Sequence, residues 1–348
     1  MKHLSGESKT DYAAVAENII GSTQLPNPLA SDSSSASQLL VGKLGTYEVG
    51  EILGKGTYGV VFKCCNVGTE EIVAIKIIED VNEGIEEFKA MKLIKKLDPD
   101  ENNLMKFYEH FSYNNVICMV YEVLHHSLQM CLVRNTPLHL SQIRPLALQM
   151  FQALKALKSI RVAHGDIKPN NILFAKEESF RIKLIDFGFA MKVKKLSEMA
   201  EIQVTPFRAP EVILGLPLDE GIDMWAVGSV LACLYNGDYL FPGDNQYETI
   251  RAMVQIFGFP EEELLTEGES TEDHVVDLDR MLEVNPEKRI TPSQALAHDF
   301  ITMKHLSGES KAEYATLKPP GETGVLKRPT SPKGGRAHNC PRTVLKLV

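Results

Sequence analysis

The sequence lacks several features that would place it in other classes of protein. Its longest apolar run, Met224 to Tyr235, is too short to cross a bilayer and predicts a buried core helix. Its six cysteines include no Cys-x-x-Cys pair, which excludes the common zinc and disulfide frameworks and favours reduced thiols inside a cell. The net charge of −9 gives no reason to expect a nucleic-acid-binding surface, and the polar N-terminus does not resemble a signal peptide.

What the chain does have is enough apolar sequence for a sizeable core. With 348 residues and 44% hydrophobic content, it can form one large domain or two modest ones. The segment 1–46 is predicted to be flexible, because its second half is rich in Ser, Pro and Asn. The segment 304–348 is predicted to be a basic disordered tail, and its last 34 residues carry seven Lys or Arg against one acid. The folded domain is therefore expected at 47–303.

One repeat occurs, since MKHLSGESKTDY at 1–12 returns as MKHLSGESKAEY at 303–314. The repeated unit is too short for a solenoid period. Two hypotheses stay open: the first copy is a relic of duplication without its own function, or both copies form a small docking or pairing element.

Hydrophobic patterning predicts an α+β protein with two lobes. Strand-like runs are predicted first and long helical patterns dominate beyond residue 125. The predicted strands are Tyr47–Leu53, Val60–Cys65, Ile72–Ile78, Leu104–Phe111 and Val116–Tyr121, and the predicted helices are 83–97, 141–161, 220–235 and 245–257. We therefore expect a small β-rich lobe at 47–124 and a larger helical lobe at 125–303, with a cleft between them.

A glycine cluster, G-K-G-T-Y-G, lies between the first two predicted strands. The same spacing could open a dinucleotide-binding fold, but that fold requires the glycines to lie between a strand and a helix. Here Gly54, Gly56 and Gly59 belong to the tip of a hairpin. Glycines at such a tip let backbone N–H groups approach phosphate oxygens without interference from a Cβ atom.

Three further motifs supply the residue types that phosphoryl transfer requires. Lys76 ends V-A-I-K on the next strand, where a buried ammonium needs anionic partners such as the phosphates of ATP. In H-G-D-I-K-P-N-N, Asp166 is predicted to accept the proton of the substrate hydroxyl and Lys168 to neutralise the transferring phosphate. Asn171, with Asp186 of L-I-D-F-G, is predicted to hold Mg²⁺ through oxygen atoms.

The order of these motifs predicts a eukaryotic-type protein kinase fold. Ala-Pro-Glu at 209–211 closes the activation segment, and we expect Arg289 to form a buried ion pair with Glu211. Any one motif could arise by chance, because an Asp in a loop is commonly a turn residue. Six motifs in the right order make coincidence negligible.

From about Tyr47 to Met303 the chain resembles the homeodomain-interacting protein kinases, relatives of the dual-specificity tyrosine-regulated kinases. The matching stretches include YEVGEILGKGTYGVVFKC, EIVAIK, IRPLALQ, RAPEVILGLP and IDMWAVG. The resemblance implies ATP-dependent phosphorylation of Ser/Thr in protein substrates, with Mg²⁺ as cofactor, in the nucleus or cytoplasm. It implies no nucleic-acid or membrane binding, and a monomer is expected. Dual specificity stays open, although Lys168 in D-x-K-P-x-N favours Ser/Thr over Tyr.

The resemblance also implies a set of nucleotide-binding residues. Tyr121 would be the gatekeeper, and the backbones of Glu122 and Leu124 would hydrogen-bond adenine. The expected nucleotide-binding residues are Leu53, Gly54, Lys55, Gly56, Thr57, Tyr58, Gly59, Val61, Ala74, Lys76, Glu87, Tyr121, Glu122 and Leu124.

The chain departs from these relatives at the helix that should present a glutamate to Lys76. The position expected from the relatives holds Ala90, while Glu86 and Glu87 lie about one helical turn earlier. We favour Glu87 as the partner, with Glu86 as the alternative.

Further departures lie in the catalytic loop, the activation segment and the lower lobe. Gly165 stands where many kinases, though not these relatives, carry an arginine, and Glu201 stands where the relatives carry a loop tyrosine. A carboxylate mimics a phosphate only in part. Thr205-Pro206 replaces the relatives' Arg-aromatic pair, so a preference for proline-directed substrates does not carry over. The stretch between Pro260 and Asp277 is shorter than in the relatives.

Two functions of different class follow. The first is an active Ser/Thr kinase, which the set Lys76, Asp166, Asn171 and Asp186 favours. The alternative is a weakly active or inactive kinase-like scaffold that binds nucleotide and partner proteins, which the displaced glutamate and the shortened lower lobe favour.

Overall fold

A computed structural model describes residues 38–56, 59–177, 179–199, 201–257 and 286–302. These residues form two compact units. The first contains the described residues up to Lys92 together with Met105–Val123; the second contains Leu93–Leu104 and the described residues from Leu124 onwards. The predicted tail at 304–348 lies outside the described residues. Residues 1–37 of the predicted flexible segment also lie outside them, whereas residues 38–46 are described. The first copy of the repeat, at 1–12, and the second, at 303–314, are therefore not described.

The first unit is a six-stranded antiparallel sheet with one helix. Its strands are β1 (Leu39–Val41), β2 (Thr46–Gly56), β3 (Gly59–Asn66), β4 (Ile72–Ile78), β5 (Phe107–Tyr113) and β6 (Val116–Glu122). Its helix is α1 (Val81–Ile94), of which the last two residues are assigned to the second unit. The strand order is β1-β2-β3-β4-β6-β5. The β-branched residues Val73, Ile75 and Ile77 of β4 point into the core of the unit. Alternation along the strand then places Ala74 and Lys76 on the opposite face.

The sheet begins earlier than the sequence predicted. Strand β1 pairs with β2, and Leu40 is fully buried. The carboxylate of Glu109 accepts hydrogen bonds from the backbone N–H of Lys43 (2.7 Å), the backbone N–H of Leu44 (3.0 Å) and the hydroxyl of Tyr47 (2.7 Å). The prediction of a flexible segment is therefore wrong for residues 39–46, because a buried side chain from a distant strand satisfies the turn between β1 and β2.

Helix α1 lies very close to the sheet. A Cβ atom at Gly84 would come within 2.7 Å of the Ile117 side chain on β6, so only glycine fits at this contact. Aromatic rings extend the same interface: Phe88 of α1 stacks on His110 of β5 with 3.5 Å between centroids, and it also contacts Phe107. Glycine and aromatic packing together set the depth of the helix.

The second unit is mainly helical. Its helices are α2 (Gln129–Val133), α3 (Leu140–Ser159), α4 (Pro210–Ile213), α5 (Gly221–Asn236), α6 (Gln246–Phe257), α7 (Pro292–Ala297) and α8 (Asp299–Thr302). Two small antiparallel pairs accompany them, β7 (Val162–Ala163) with β10 (Met191–Lys192) and β8 (Ile172–Phe174) with β9 (Ile182–Leu184). A β-rich unit and a helical unit confirm the predicted α+β class.

Helix α5 is the core helix predicted from the apolar run. Residues 222–234 are all buried, and the helix ends at Gly237, whose φ of +81° suits a glycine C-cap. No helix in the described ranges is long and apolar enough to span a bilayer. The cysteines in those ranges, including Cys233 of α5, form no disulfide with one another.

Residues 93–104 differ from the predicted division at residue 124. They cluster with the second unit, because Lys183 Nζ donates to Asp100 Oδ1 (2.6 Å) and Asn103 Nδ2 donates to Gln152 Oε1 (3.0 Å).

Candidate active site

In the first unit, Lys76 and Glu87 form a largely buried ion pair. Lys76 Nζ lies 2.7 Å from Glu87 Oε2, and the two side chains are 13% and 4% exposed. The other carboxylate oxygen of Glu87 accepts a hydrogen bond from the Tyr121 hydroxyl at 2.7 Å. Both oxygens of this buried carboxylate are therefore satisfied, as its burial requires.

The structure distinguishes between the two glutamates that the sequence offered. Glu86 is exposed and pairs with Lys89 on the helix surface at 2.6 Å. Glu87 faces the sheet, and Ala90, at the position where the relatives would have a glutamate, is buried without a charge. The helix face presented to the sheet therefore selects Glu87 as the partner of Lys76.

The three glycines of the cluster differ in the space around them. A Cβ atom at Gly59 would lie 2.1 Å from the carbonyl oxygen of Ile77, and Gly59 has a φ of +151°. Among the described residues, a Cβ atom at Gly54 would meet nothing within 4 Å, and one at Gly56 would meet only the Gly59 carbonyl at 3.9 Å. Gly59 is thus required by the protein itself, whereas Gly54 and Gly56 leave open space that a ligand could use.

This difference yields a prediction about two glycine-to-alanine variants. Gly59→Ala should lower the thermal midpoint, since a backbone clash and an unfavourable φ cost at least about 1 kcal/mol. Gly56→Ala should leave the midpoint unchanged and weaken Mg·ATP binding severalfold, because its methyl group occupies the open space. Thermal unfolding and nucleotide titration of both variants test this. A Gly56→Ala variant as destabilised as Gly59→Ala would contradict it.

The other predicted nucleotide-binding residues of the first unit lie on four strands. Leu53, Gly54, Lys55 and Gly56 belong to β2 and Val61 to β3, where Gly54 pairs with Val61. Ala74 of β4 pairs with Tyr121 of β6. Glu122 donates its backbone N–H to the Lys106 carbonyl (3.1 Å) and accepts from the Lys106 N–H through its side chain (2.6 Å). Leu124 belongs to the second unit, and Thr57 and Tyr58 lie outside the described residues.

In the second unit, two other predicted residues, Lys168 and Asn171, converge on Asp166. Lys168 Nζ lies 2.8 Å from Asp166 Oδ2. Asn171 Nδ2 donates both to Asp166 Oδ2 (2.9 Å) and to the Asp166 carbonyl (2.8 Å). Because the amide nitrogen of Asn171 is committed to Asp166, its oxygen is the atom left to bind a cation. A short 3₁₀ helix, Pro169–Asn171, sets this spacing.

The backbone under Asp166 is held by the buried carboxylate of Asp223. Asp223 accepts the N–H groups of His164 (2.6 Å) and Gly165 (3.0 Å). Burial raises the pKa of Asp223, while the hydrogen bonds from these two N–H groups oppose the increase. His164 accepts the Asp166 N–H through Nδ1 (3.2 Å), so its Nε2 carries the proton and donates to the Ile185 carbonyl at 3.0 Å.

Asp186 has an unusual backbone conformation. Its φ is +59°, a region that costs non-glycine residues free energy and that is enriched at functional sites. The preceding Ile185 donates its N–H to the Asn171 carbonyl at 2.9 Å. Phe187, which follows, is fully buried and packs edge-on against His164 with 4.9 Å between centroids. These contacts hold the backbone of Asp186 in place beside the loop that carries Asn171.

The predicted ion pair between Glu211 and Arg289 is confirmed. Arg289 Nη2 lies 2.8 Å from Glu211 Oε2, and the two side chains are 5% and 0% exposed at this contact. Arg289 also donates to the Gly221 carbonyl at 2.9 Å and lies over the Trp225 ring. The pair joins the end of the activation segment to helix α5.

Sequence reasoning missed Gln203, which organises the activation segment. Its backbone N–H donates to the Gly165 carbonyl (3.1 Å), its side chain donates to the Ile222 carbonyl (2.9 Å), and its Oε1 accepts the Ala209 N–H (2.9 Å). Its φ is +61°. No motif marked it; a glutamine among apolar loop residues was the only signal.

The residues present fit Mg·ATP by their chemistry. Asn171 and Asp186 offer the oxygen atoms that Mg²⁺ prefers, and Lys76 offers a positive charge for phosphate. Among the described residues, the space beside Gly54 and Gly56 leaves room for phosphate groups next to the backbone. Within the described ranges, no three His, Cys, Asp or Glu residues group together as a complete metal cage. Two protein ligands nevertheless suffice for Mg²⁺ when phosphates and water complete its coordination.

Comparison with known proteins agrees with this chemistry. The family model of the protein kinase domain matches residues 47–301. Homeodomain-interacting protein kinase 2 of Mesocricetus auratus is 34% identical over 343 aligned residues, covering 77% of this chain and 29% of the relative. Homeodomain-interacting protein kinase 1 of Caenorhabditis elegans is 32% identical, covering 77% and 41%. Serine/threonine-protein kinase ppk15 of Schizosaccharomyces pombe is 37% identical over 233 residues, covering 65% and 43%.

The chain thus spans less than half the length of these relatives. The match to the domain, by contrast, covers most of the chain and includes the motifs from the glycine cluster to Arg289. The chain therefore belongs to the protein kinase family, and the resemblance to the homeodomain-interacting protein kinases that its motifs indicated is confirmed.

Proposed function

We propose that this chain transfers the γ-phosphate of Mg·ATP to Ser and Thr hydroxyls of protein substrates. The observation that carries the proposal is the cluster around Asp166, a carboxylate held by Lys168 and Asn171 at 2.8 and 2.9 Å. When bound, Mg·ATP supplies the phosphoryl group and neutralises charge as that group moves. Every other role falls to side chains of the chain.

Those roles follow from the contacts of each residue. Asp166 accepts the proton of the attacking hydroxyl, and Lys168, already beside it, balances negative charge on the phosphate. Asn171 and Asp186 hold Mg²⁺ through oxygen atoms. Lys76, oriented by Glu87, binds phosphate oxygens.

The Ser/Thr preference rests on Lys168 in D-x-K-P-x-N and on the relative named a serine/threonine-protein kinase. The relatives are named for their interaction with homeodomain proteins, which suggests substrates of that class. They also suggest a nuclear or cytoplasmic site of action. We propose a monomer that binds neither nucleic acid nor membrane.

Activation does not wait for a loop tyrosine in this proposal. Burial lowers the pKa of Arg208, and the negative charge of Glu201 opposes the decrease, so the two groups interact electrostatically. Arg208 also donates to the Gln203 carbonyl at 3.1 and 2.6 Å. A permanent carboxylate at 201 thus supplies part of the charge that phosphorylation of a tyrosine would add.

The alternative of an inactive scaffold has lost its main support. That alternative rested on the displaced glutamate and on the shortened lower lobe. The pair of Glu87 with Lys76 removes the first support, and the stretch between Pro260 and Asp277 lies outside the described residues.

Transfer of labelled phosphate from Mg·ATP to a basic protein substrate tests the proposal directly. Phosphatase-treated protein should transfer phosphate without a lag, and Asp186→Asn should reduce the rate by about 10²-fold or more, since the metal loses an anionic ligand. Nucleotide-dependent thermal stabilisation without transfer would support the scaffold instead. A long lag abolished by an upstream kinase would contradict the role of Glu201.

A further inference from the structure

The hydroxyl of Tyr121 has a role beyond lining the nucleotide site. We propose that Tyr121 is a positioning residue whose hydroxyl holds the Glu87 carboxylate in the orientation that pairs with Lys76. The proposal rests on the proposed function only for its kinetic consequence. Its geometric basis lies entirely within the first unit.

The sheet places Tyr121 and Lys76 on one face. Lys76 of β4 pairs with Met119 of β6, and Ala74 pairs with Tyr121, so Tyr121 lies diagonally opposite Lys76. Cross-strand partners share a face, and diagonal neighbours lie within reach of long side chains. The ammonium of Lys76 and the hydroxyl of Tyr121 therefore approach one point above the sheet from two strands.

Helix α1 brings a single carboxylate to that point. Each oxygen of Glu87 accepts one of the two hydrogen bonds, from Lys76 at 2.7 Å and from Tyr121 at 2.7 Å. Gly84, one turn earlier, allows this depth because any Cβ atom there would clash with Ile117. A glutamate at position 87, rather than 90, therefore reaches Lys76, because the helix lies close to the sheet and the Tyr121 hydroxyl provides a second hydrogen-bond donor.

The second donor matters because Glu87 is only 3% exposed. Removing the hydroxyl leaves one oxygen of a buried carboxylate without a donor, and a hydrogen bond to a charged group is among the strong ones. The carboxylate then lowers its free energy by turning towards solvent, and this movement weakens its ion pair with Lys76.

A competing carboxylate stands one turn away on the same helix. Burial, Asp80 and Glu87 raise the pKa of Glu83, whereas the positive charge of Lys76 lowers it. Glu83 therefore interacts electrostatically with both members of the ion pair, Lys76 and Glu87. Without the hydrogen bond from Tyr121, the preference of Lys76 for Glu87 over Glu83 should weaken.

Tyr121→Phe removes the hydroxyl and keeps the aromatic ring. The Tyr121 ring contacts Phe107 at 5.5 Å between centroids, and Phe retains that contact. In ligand-free protein, Tyr121→Phe should increase amide hydrogen exchange in α1 by about 10- to 100-fold, the loss expected for one hydrogen bond to a charged group. The dissociation constant of Mg·ADP and the KM for ATP should rise by a similar factor, with a smaller change in kcat.

A double-mutant cycle with Glu87→Ala decides whether Tyr121 acts through Glu87. In the Glu87→Ala background, Tyr121→Phe should change neither hydrogen exchange nor Mg·ADP affinity further. Equal effects of Tyr121→Phe in both backgrounds would overturn the proposal, and so would no effect in either.

Tyr47→Phe is the matched control, because Tyr47 also donates a 2.7 Å bond to a buried carboxylate, that of Glu109. It should lower the thermal midpoint like Tyr121→Phe but leave exchange in α1 and Mg·ADP affinity unchanged. If Tyr47→Phe reproduces every effect of Tyr121→Phe, the role of Tyr121 is merely structural. Hydrogen exchange needs neither nucleotide nor transfer, so failure of the proposed kinase activity would leave this readout intact.

Discussion

Asp166→Asn should abolish most phosphoryl transfer while leaving the protein folded. The asparagine has nearly the shape of aspartate and can keep an oxygen near Lys168 and Asn171, which now lie 2.8 and 2.9 Å from Asp166 Oδ2. It cannot, however, accept a proton from the substrate hydroxyl. Loss of a general base typically costs about 10²- to 10⁴-fold in rate. We expect a decrease in kcat of that order, with a small change in the KM for ATP, measured by steady-state phosphate transfer.

The control for this prediction is Asp244→Asn. Asp244 is exposed and lies outside the predicted site, so the same chemical change there should leave kcat unchanged. Both variants should unfold at nearly the wild-type temperature. An Asp166→Asn enzyme within a few fold of wild-type kcat would refute the assignment of Asp166 as the base.

Arg289→Met should be the most destabilising single substitution considered for the second unit. It leaves Glu211 as a buried carboxylate without its bidentate partner. It also removes the bond to the Gly221 carbonyl and the contact with the Trp225 ring. Breaking a buried pair by removing one partner costs about 3–5 kcal/mol. The free energy of unfolding from urea denaturation measures this loss.

Two comparisons separate burial from mere loss of charge. Arg251→Met removes an exposed partner of Glu248 at 3.4 Å and should cost less than about 1 kcal/mol. Arg289→Met combined with Glu211→Leu should recover part of the loss, because no buried charge then stands alone. Equal costs for Arg289→Met and Arg251→Met would show that the Arg289 pair contributes little.

Much of the secondary structure followed from local patterns. The runs predicted at Val60–Cys65, Ile72–Ile78 and Val116–Tyr121 lie within the observed strands β3, β4 and β6 or coincide with them. These runs are rich in β-branched residues, a signal that needs no tertiary context. The helix predicted at 83–97 is observed at Val81–Ile94, an error of the size expected at helix ends.

Side chains that act across long sequence separations were not predictable. Glu109 orders the turn before Tyr47 from 62 or more residues away, and nothing near residue 43 announces it. Gln203 joins the activation segment to Gly165 and Ile222 through groups that only folding brings together. Such contacts depend on which strand or loop packs next to the segment in the folded protein, and the local sequence does not specify that neighbour.

The sequence by itself indicated the family of this protein: the order of its glycine cluster, Lys76, H-G-D-I-K-P-N-N and D-F-G is that of a protein kinase domain, because each predicted role needs a particular functional group in a fixed order. Only the tertiary structure decided how Lys76 is held. Gly84 lets α1 approach β6, the helix face turns Glu87 rather than Glu86 inward, and Tyr121 supplies the second donor. From the sequence, Glu86 and Glu87 both belong to the same predicted helix. Packing sets the depth and rotation of that helix against the sheet, and these determine which glutamate reaches Lys76.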